Sequence, residues 1–252
     1  MDRVLTIMTE AARAAGEMAL KYYRRGVEVT LKPDRSPVTR ADREAEHVIV
    51  EILGEAFPEY GFLGEELGER GPKEIRWIMD PIDGTRNFVR GIPIWAVLIA
   101  LEERGEITAG VIHNPATGEL YTARRGRGAF LGEERLRVSD ISSLDRATLI
   151  HATLGFLRSG GHWEGFVRLV DATERQRGFG DYMCYTVLAE GKAELAVEVD
   201  LKPWDLAPVK LLVEEAGGRF TDFAGTPSIY SGTALVSNGK LHDAALALIK
   251  GR

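Results

Sequence analysis

A pair of aspartates follows an apolar segment about a third of the way along the chain. The segment spans residues 75–79, and the acids lie in Asp80-Pro81-Ile82-Asp83-Gly84-Thr85. The apolar run is typical of a strand, and Gly84 allows the backbone to turn sharply after it. Two carboxylates that converge at one strand end repel each other, so we expect a positive charge between them. Hard divalent cations such as Mg²⁺ take carboxylate oxygens as ligands, which makes this position a candidate metal site.

The backbone after Gly84 adds a second chemical feature. The amides of Gly84, Thr85 and Arg86 are placed to open a helix, and an exposed helix N-terminus attracts phosphate. Carboxylates that bind metal beside amides that bind phosphate suit the hydrolysis of a phosphate ester.

One other interpretation of the hexapeptide stays open at this point, and a second one is disfavoured by the spacing of the aspartates. Asp-Gly is a strong turn signal, so the segment is also explained as a purely structural turn. Haloacid-dehalogenase phosphatases carry Asp-x-Asp-Gly-Thr, with a nucleophilic aspartate. In the present chain two residues separate Asp80 from Asp83, which is the wrong spacing for that family.

Further acids stand at the ends of other predicted elements. Glu65 and Glu66 follow the short apolar run 60–64, and Asp205 falls in the first turn of a predicted helix. Asp42, three residues after Thr39, fits the start of another helix. Each has a plainer explanation as well: solvated loop charges for the glutamates, a cap for Asp205, and stabilisation of the helix dipole for Asp42.

The composition limits the classes of protein to consider. The 252 residues suffice for one large domain or two lobes, and 44% hydrophobic with 28% charged residues is typical of a soluble globular protein. A net charge of −6 disfavours general nucleic-acid binding. The single Cys184 excludes an internal disulfide, and no apolar run reaches the roughly 20 residues that span a membrane. Because the N-terminus has the pattern of an amphipathic helix and not of a signal peptide, we expect a cytoplasmic protein.

The hydrophobic pattern predicts the elements that must position these residues. The first part has predicted helices at 2–25 and 39–57, a strand at 27–31, a loop at 32–37, and a largely antiparallel sheet at 92–101, 107–113, 119–123 and 129–138. The second part alternates predicted strands at 147–152, 174–179, 193–199, 219–223 and 234–237 with helices at 162–170, 181–190, 204–216 and 241–249. The pattern predicts an α+β lobe at 1–140 with most of the candidate metal ligands, and an α/β lobe of mixed or parallel pairing at 141–252 that carries Asp205.

Taken together, the acidic motifs are more specific than any one of them. Gly64-Glu65-Glu66, then Asp80-Pro81-Ile82-Asp83-Gly84-Thr85-Arg86-Asn87-Phe88, then Pro203-Trp204-Asp205 resemble the inositol monophosphatase family of metal-dependent, lithium-sensitive phosphatases. The resemblance covers essentially the whole chain, including residues 36–42 and 214–218. It implies a layered αβαβα sandwich, a homodimer, and two to three Mg²⁺ ions as cofactor.

The resemblance also implies roles for individual residues. The metal ligands would be Glu65, Asp80, the Ile82 carbonyl, Asp83 and Asp205. Thr85, paired with Asp42, would orient and deprotonate the attacking water together with Glu65. The amides of Gly84 and Thr85 would hold the phosphate, and Glu66 would lie outside the ligand set. In this scheme two ions about 3.5–4 Å apart neutralise the phosphate, and water attacks it directly without a covalent intermediate.

The selectivity for one phosphate ester is expected to depend on Asp181 and Glu198. Glu198, seven positions before Asp205, matches an acid that accepts hydrogen bonds from sugar hydroxyls in inositol phosphatases. Gly180-Asp181 followed by Tyr185 is more similar to the histidinol-phosphate phosphatase branch, and an additional carboxylate suits a cationic substrate. We therefore expect L-histidinol phosphate as substrate, with inositol 1-phosphate as the alternative. Asp181 is also explained as a cap of the helix 181–190.

A different class of function also stays open. Some members of the family bind the transcription machinery through surface patches, so an additional non-catalytic role in partner binding is an alternative. The presence of every metal position disfavours a purely structural protein.

Overall fold

The computed structural model describes residues 2–25, 29–31 and 37–251. Its helices are α1 (Arg3–Leu20), α2 (Arg40–Ala56), α3 (Thr85–Val89), α4 (Leu154–Ser159), α5 (Trp163–Ala172), α6 (Met183–Ala189), α7 (Pro203–Glu215) and α8 (His242–Lys250). Its strands are β1 (Val29–Leu31), β2 (Pro37–Thr39), β3 (Gly61–Gly64), β4 (Gly68–Arg70), β5 (Ile75–Asp83), β6 (Ala96–Glu103), β7 (Glu106–Asn114), β8 (Glu119–Arg124), β9 (Gly128–Leu131), β10 (Glu134–Arg135), β11 (Thr148–His151), β12 (Arg175–Gly178), β13 (Leu195–Val199), β14 (Arg219–Thr221) and β15 (Thr233–Ser237). The predicted loop 32–37, except for Pro37, and the first two residues of the predicted strand 27–31 lie outside the described residues.

The first large sheet has eight strands in the order β10-β9-β8-β7-β6-β5-β3-β4. Its pairs are antiparallel except for β3 with β5, which run parallel. The register between β5 and β6 shifts where Asp80 faces Leu98 and Asp83 faces Ala96, so β5 holds one additional residue there. Pro81 has no N–H to give to the ladder, and such a bulge redirects the side chains around it. The two aspartates therefore leave the regular alternation of the sheet.

The second sheet has five strands in the order β12-β11-β13-β15-β14. Strand β11 runs parallel to β12 and to β13, whereas β15 runs antiparallel to β13 and β14. The predicted mixed pairing in this half of the chain is confirmed.

Helices cover both sheets and separate them. Helices α1 and α2 pack on one face of the first sheet around Trp77 and Met79. Ile78, which alternation along β5 directs to the opposite face, lies in a core shared by α6, α7 and the near face of the second sheet. The far face of the second sheet packs on α4, α5 and α8. The order of layers is helix, sheet, helix, sheet, helix, which confirms the predicted αβαβα sandwich.

Several element boundaries differ from the prediction. The predicted strand 129–138 is two short strands, because Gly132 between them adopts a positive φ of 59°. Helix α4 was not predicted: its six residues include Gly155 and are too few to show a helical period. The division into lobes at residue 140 stays a prediction, and α7, from the second half, packs against the first sheet as well. Across the described residues, every helix is too short or too polar to span a membrane.

Candidate active site

The end of β5 forms the floor of the site. Asp80 Oδ1 accepts a hydrogen bond from the Ile82 amide at 2.9 Å, which fixes the aspartate beside the bulge. Gly84 follows with φ 84° and ψ 35°, a left-handed conformation that glycine adopts without strain. A Cβ on Gly84 would lie 2.8 Å from the Ile94 carbonyl oxygen, so space also requires glycine. The predicted sharp turn leads directly into α3, as expected from the sequence.

Three carboxylates from two distant parts of the chain meet at this position. Asp80, Asp83 and Asp205 each place one oxygen within 4.8 Å of the others. Asp205 stands in the first turn of α7, where its Oδ2 accepts from the Lys202 amide at 2.8 Å. Asp83 Oδ2 accepts from the Tyr182 amide at 2.6 Å. Because a carboxylate has two oxygens, a backbone bond at one of them leaves the residue able to bind a cation through the other.

Burial and mutual repulsion perturb these carboxylates. Burial raises the pKa of Asp80 well above its usual value, and the charges of Glu65, Asp83 and Asp205 raise it further. Burial likewise raises the pKa of Asp83, followed by the charge of Asp181. The pKa of Asp205 rises to about 7, chiefly through burial. Buried acids that crowd one another in this way are the oxygen donors that hard divalent cations prefer, so the residues fit a metal site.

A cavity of about 340 Å³ opens over the three carboxylates. With one exception, every candidate site residue from the sequence lines it: Glu65, Asp80, Ile82, Asp83, Gly84, Thr85, Asp181, Glu198 and Asp205. The exception is Asp42, which is buried behind Thr85. The structure therefore brings together the residues that the sequence singled out.

Thr85 and Asp42 are in contact. Thr85 Oγ1 lies 3.3 Å from Asp42 Oδ1 and 3.0 Å from the Ile82 carbonyl oxygen. Asp42 Oδ2 accepts from the amide and the hydroxyl of Thr39, at 2.7 and 2.6 Å, which completes a capping box at the start of α2. Burial raises the pKa of Asp42 to about 6. The helix-start interpretation of Asp42 is confirmed, and its second oxygen faces Thr85.

Asp181 and Glu198 line the same cavity. Asp181 Oδ2 accepts from Asn87 Nδ2 at 2.8 Å, and Glu198 Oε2 accepts from the Tyr185 hydroxyl at 2.8 Å. Burial raises the pKa of Asp181 to about 6, against the lowering effect of Arg86, and burial also raises the pKa of Glu198. Helix α6 begins at Met183 without a side-chain cap, so the alternative that Asp181 caps this helix is wrong.

Other cavity residues were missed from the sequence. The Asn87 side chain reaches Asp181 across 94 positions of the chain, a pairing that no local pattern reveals. Phe156 and Phe179 line the cavity and keep 41% and 37% of their surfaces exposed. Phe156 lies on α4, the helix that was not predicted. Tyr185 was named from the sequence only as part of the Gly180-Asp181 motif, and its hydrogen bond to Glu198 could not be predicted there.

A model of the inositol monophosphatase family matches residues 1–251. The chain belongs to the inositol monophosphatase family. The resemblance recognised in the motifs is confirmed, and this member of the family is a metal-dependent phosphomonoesterase.

Relatives of this family member have several names. A histidinol-phosphatase from Streptomyces coelicolor is 39% identical over 99% of this chain and 97% of its own length. An inositol-1-monophosphatase from Mesorhizobium japonicum is 38% identical over 98% of this chain and 96% of its own. The crystal structure of the extragenic suppressor protein suhB from Bartonella henselae superposes with a TM-score of 0.92 at 36% identity, covering 98% of each chain.

Proposed function

We propose that this protein is a Mg²⁺-dependent phosphatase whose substrate is L-histidinol phosphate. The observation that carries the catalytic part is the meeting of Asp80, Asp83 and Asp205 within 4.8 Å of one another in one cavity. The ligands of two to three Mg²⁺ ions would be Glu65, Asp80, the Ile82 carbonyl, Asp83 and Asp205. When bound there, the ions supply Lewis-acid neutralisation of the phosphate and lower the pKa of coordinated water.

Thr85 and Asp42 would handle the proton of the attacking water. A threonine hydroxyl alone is a poor base, so it needs a partner that accepts its own proton. Thr39 holds Asp42 Oδ2, and Oδ1 is left facing the Thr85 hydroxyl. The water proton would pass to Thr85 Oγ1 as the hydroxyl proton passes to Asp42 Oδ1. Glu65, which lines the same cavity, would orient the water together with Thr85.

The amides at the start of α3 would hold the phosphate. The first amides of a helix lack intrahelical partners and point outward along its axis. Gly84, the left-handed residue before α3, and Thr85 both line the cavity together with the carboxylates, which supports their amides as the phosphate contacts. With phosphate held there, the oxygen of water bonds to phosphorus and the P–O bond to the alcohol breaks. The departing alkoxide takes up one proton, which balances the proton that the attacking water gives up to Asp42 through Thr85.

Asp181 and Glu198 would select the substrate. Both carboxylates face the cavity, and Asp181 is held by Asn87 so that its charge stays at the wall. A substrate that carries an ammonium group gains more from two acids than a neutral polyol does. Relatives named histidinol-phosphatase support this choice, and the similarly close inositol-1-monophosphatase supports inositol 1-phosphate as the alternative.

The remaining expectations belong to the same proposal. By analogy with the family, we propose a cytoplasmic homodimer that lithium inhibits, acting on a small phosphate ester without general nucleic-acid binding. Sedimentation of the purified chain tests the dimer. A pull-down from cell extract tests whether a macromolecular partner also binds. Asp83→Asn is used as a second bait, because this variant would lack catalysis while the outer surface of the protein stays unchanged.

The substrate is tested by release of inorganic phosphate from histidinol, inositol, fructose-bisphosphate and nucleotide esters, with and without Mg²⁺. We expect kcat/KM to be highest for histidinol phosphate. Asp181→Asn should lower the ratio of kcat/KM for histidinol phosphate over inositol 1-phosphate by about tenfold or more, since it removes a half-buried charge that would face the ammonium group. Asparagine is chosen because Asp181 has a φ of 53°, which asparagine tolerates.

Asp200→Asn serves as the matched control. It removes an exposed acid that also has a positive φ and lines the same cavity. An equal change of the ratio in both variants would point to general charge and not to Asp181. No change in Asp181→Asn would remove the basis for histidinol phosphate.

A further inference from the structure

Helix α2 carries a second buried acid besides Asp42. Glu46 lies four residues later, one turn along the same face, and its side chain is fully buried with 0% exposure. A buried carboxylate is costly unless hydrogen bonds compensate the loss of water. The hydrogen-bond donors to Glu46 therefore indicate its role in the structure.

Both oxygens of Glu46 accept from consecutive backbone amides. Oε2 accepts from the Glu66 amide at 2.8 Å, and Oε1 accepts from the Leu67 amide at 3.0 Å. These amides belong to the three-residue turn 65–67, which joins β3 to β4 after the last pair, Gly64 with Gly68. Glu65, a proposed metal ligand, is the first residue of that turn.

Gly64 makes room for this contact. A Cβ on Gly64 would lie 1.9 Å from Glu46 Oε1 and 2.7 Å from its Cδ. The φ of Gly64 is not positive, so the backbone itself does not demand glycine there. The Glu46 carboxylate occupies the space that a side chain at position 64 would take, so any larger residue there would have to displace it.

We propose that Glu46 is a positioning residue that clamps the 65–67 turn and thereby holds the Glu65 carboxylate at the metal site. The inference rests on the proposed function, since it concerns the metal that Glu65 would bind. Helix α2 would then support the site twice: through Asp42 on Thr85 and through Glu46 on the turn of Glu65. Groups that orient a metal ligand typically change metal affinity by about 10- to 100-fold when they are removed.

Glu46→Gln tests the clamp with almost no change of shape. The glutamine side chain keeps one oxygen as an acceptor but places its NH₂ group against the other backbone N–H. One of the two hydrogen bonds is therefore lost. We expect the Mg²⁺ concentration for half-maximal hydrolysis to rise about tenfold or more, with kcat largely restored at saturating Mg²⁺. The Mg²⁺ concentration at which the melting temperature rises should shift by the same factor, which measures binding without catalysis.

Glu194→Gln is the matched control. Glu194 is also buried, at 3% exposure, and its Oε2 accepts from the Thr148 amide at 2.7 Å, but it directly precedes β13 and does not line the cavity. We expect this variant to lose thermal stability while its Mg²⁺ midpoints stay unchanged.

Gly64→Ala is an independent variant that alters no polar group and decides the question if Glu46→Gln does not fold. The added methyl should displace the Glu46 carboxylate and raise both Mg²⁺ midpoints. The double variant should be little worse than the more affected single one, since both break the same clamp.

Unchanged Mg²⁺ midpoints in Glu46→Gln and Gly64→Ala, beside a lowered melting temperature, would overturn the positioning role. A wild-type protein without Mg²⁺-dependent hydrolysis or Mg²⁺-induced stabilisation would overturn the proposed function, and this inference with it. The two failures are told apart because the second is visible in the wild type alone.

Discussion

At the scale of single residues, several acids of the site have two partners. Asp42 accepts from Thr39 through one oxygen and faces Thr85 with the other. Asp205 caps α7 through Oδ2 while it belongs to the carboxylate cluster. The interpretations of these residues as helix caps are therefore compatible with the functional ones, because the capping bonds leave one oxygen of Asp42 facing Thr85 and leave Asp205 in the carboxylate cluster.

The Thr85 and Asp42 pair leads to a test by a double variant. Thr85→Ala and Asp42→Asn should each lower kcat by about 10²–10⁴-fold, the range for loss of a positioned base. If the two act as one unit, the double variant should be little slower than the slower single variant. Steady-state kinetics at saturating Mg²⁺ measures this. Losses that multiply in the double variant would show that the residues act separately.

At the scale of elements, the sequence predicted those features that depend on residues close together in the chain. The acids Asp80 and Asp83 end an apolar strand, and Asp205 opens a helix with Pro203 before it, so their positions followed from residues nearby. Glu46 was missed because its amide partners lie 20 and 21 positions away. The contact of Asn87 with Asp181 joins α3 to the segment before α6 and was equally invisible. The sequence thus predicted the motifs, whereas the contacts that hold them required the tertiary fold.

The junction of β14, β15 and α8 gives a prediction of pH dependence. The His242 ring is fully buried between Thr221 Oγ1 and Ser237 Oγ, each 2.9 Å from a ring nitrogen. Burial, followed by the charge of Arg219, lowers the pKa of His242 from 6.5 to about 4, while Asp243 opposes the shift. Between pH 6.5 and 4 the unfolded chain therefore binds more protons at this residue than the folded chain, and stability falls as the pH falls.

The free energy of unfolding should lose up to about 3 kcal/mol from this residue as the pH falls across that window. His242→Gln should be less stable than the wild type at pH 7, and the difference should shrink toward pH 4. Urea unfolding of both proteins at pH 7 and 4.5 measures it. A difference that stays constant with pH would mean that His242 titrates normally.

At the scale of the whole molecule, the carboxylate cluster joins elements that are far apart in the chain. Asp80 and Asp83 come from the first sheet, Asp205 comes from the middle layer, and the Tyr182 amide bonds to Asp83 from the start of α6. Repulsion among these acids opposes folding, so a cation that binds only the folded cluster should stabilise the entire chain.

Asp83→Asn separates this charge effect from catalysis. The amide oxygen can still accept from Tyr182, so we expect the variant to fold and to melt in EDTA at least as high as the wild type, since one buried charge is removed. It should lose the rise of melting temperature that Mg²⁺ gives the wild type, and phosphate release should be abolished. Near-normal Mg²⁺-dependent turnover would contradict the role of Asp83 as a ligand.

The position of α6 and α7 between the two sheets has a consequence for engineering. These helices are made by the second half of the chain, yet they cover an apolar face of the sheet made by the first half. In a chimera whose second half, with Asp181 and Glu198, comes from a relative, the side chains of that relative would pack on Ile78, Leu98 and Ile112. Single substitutions around the cavity should therefore exchange specificity between relatives more readily than exchange of the whole second half. An exchanged half would need further substitutions along the entire buried interface with the first sheet.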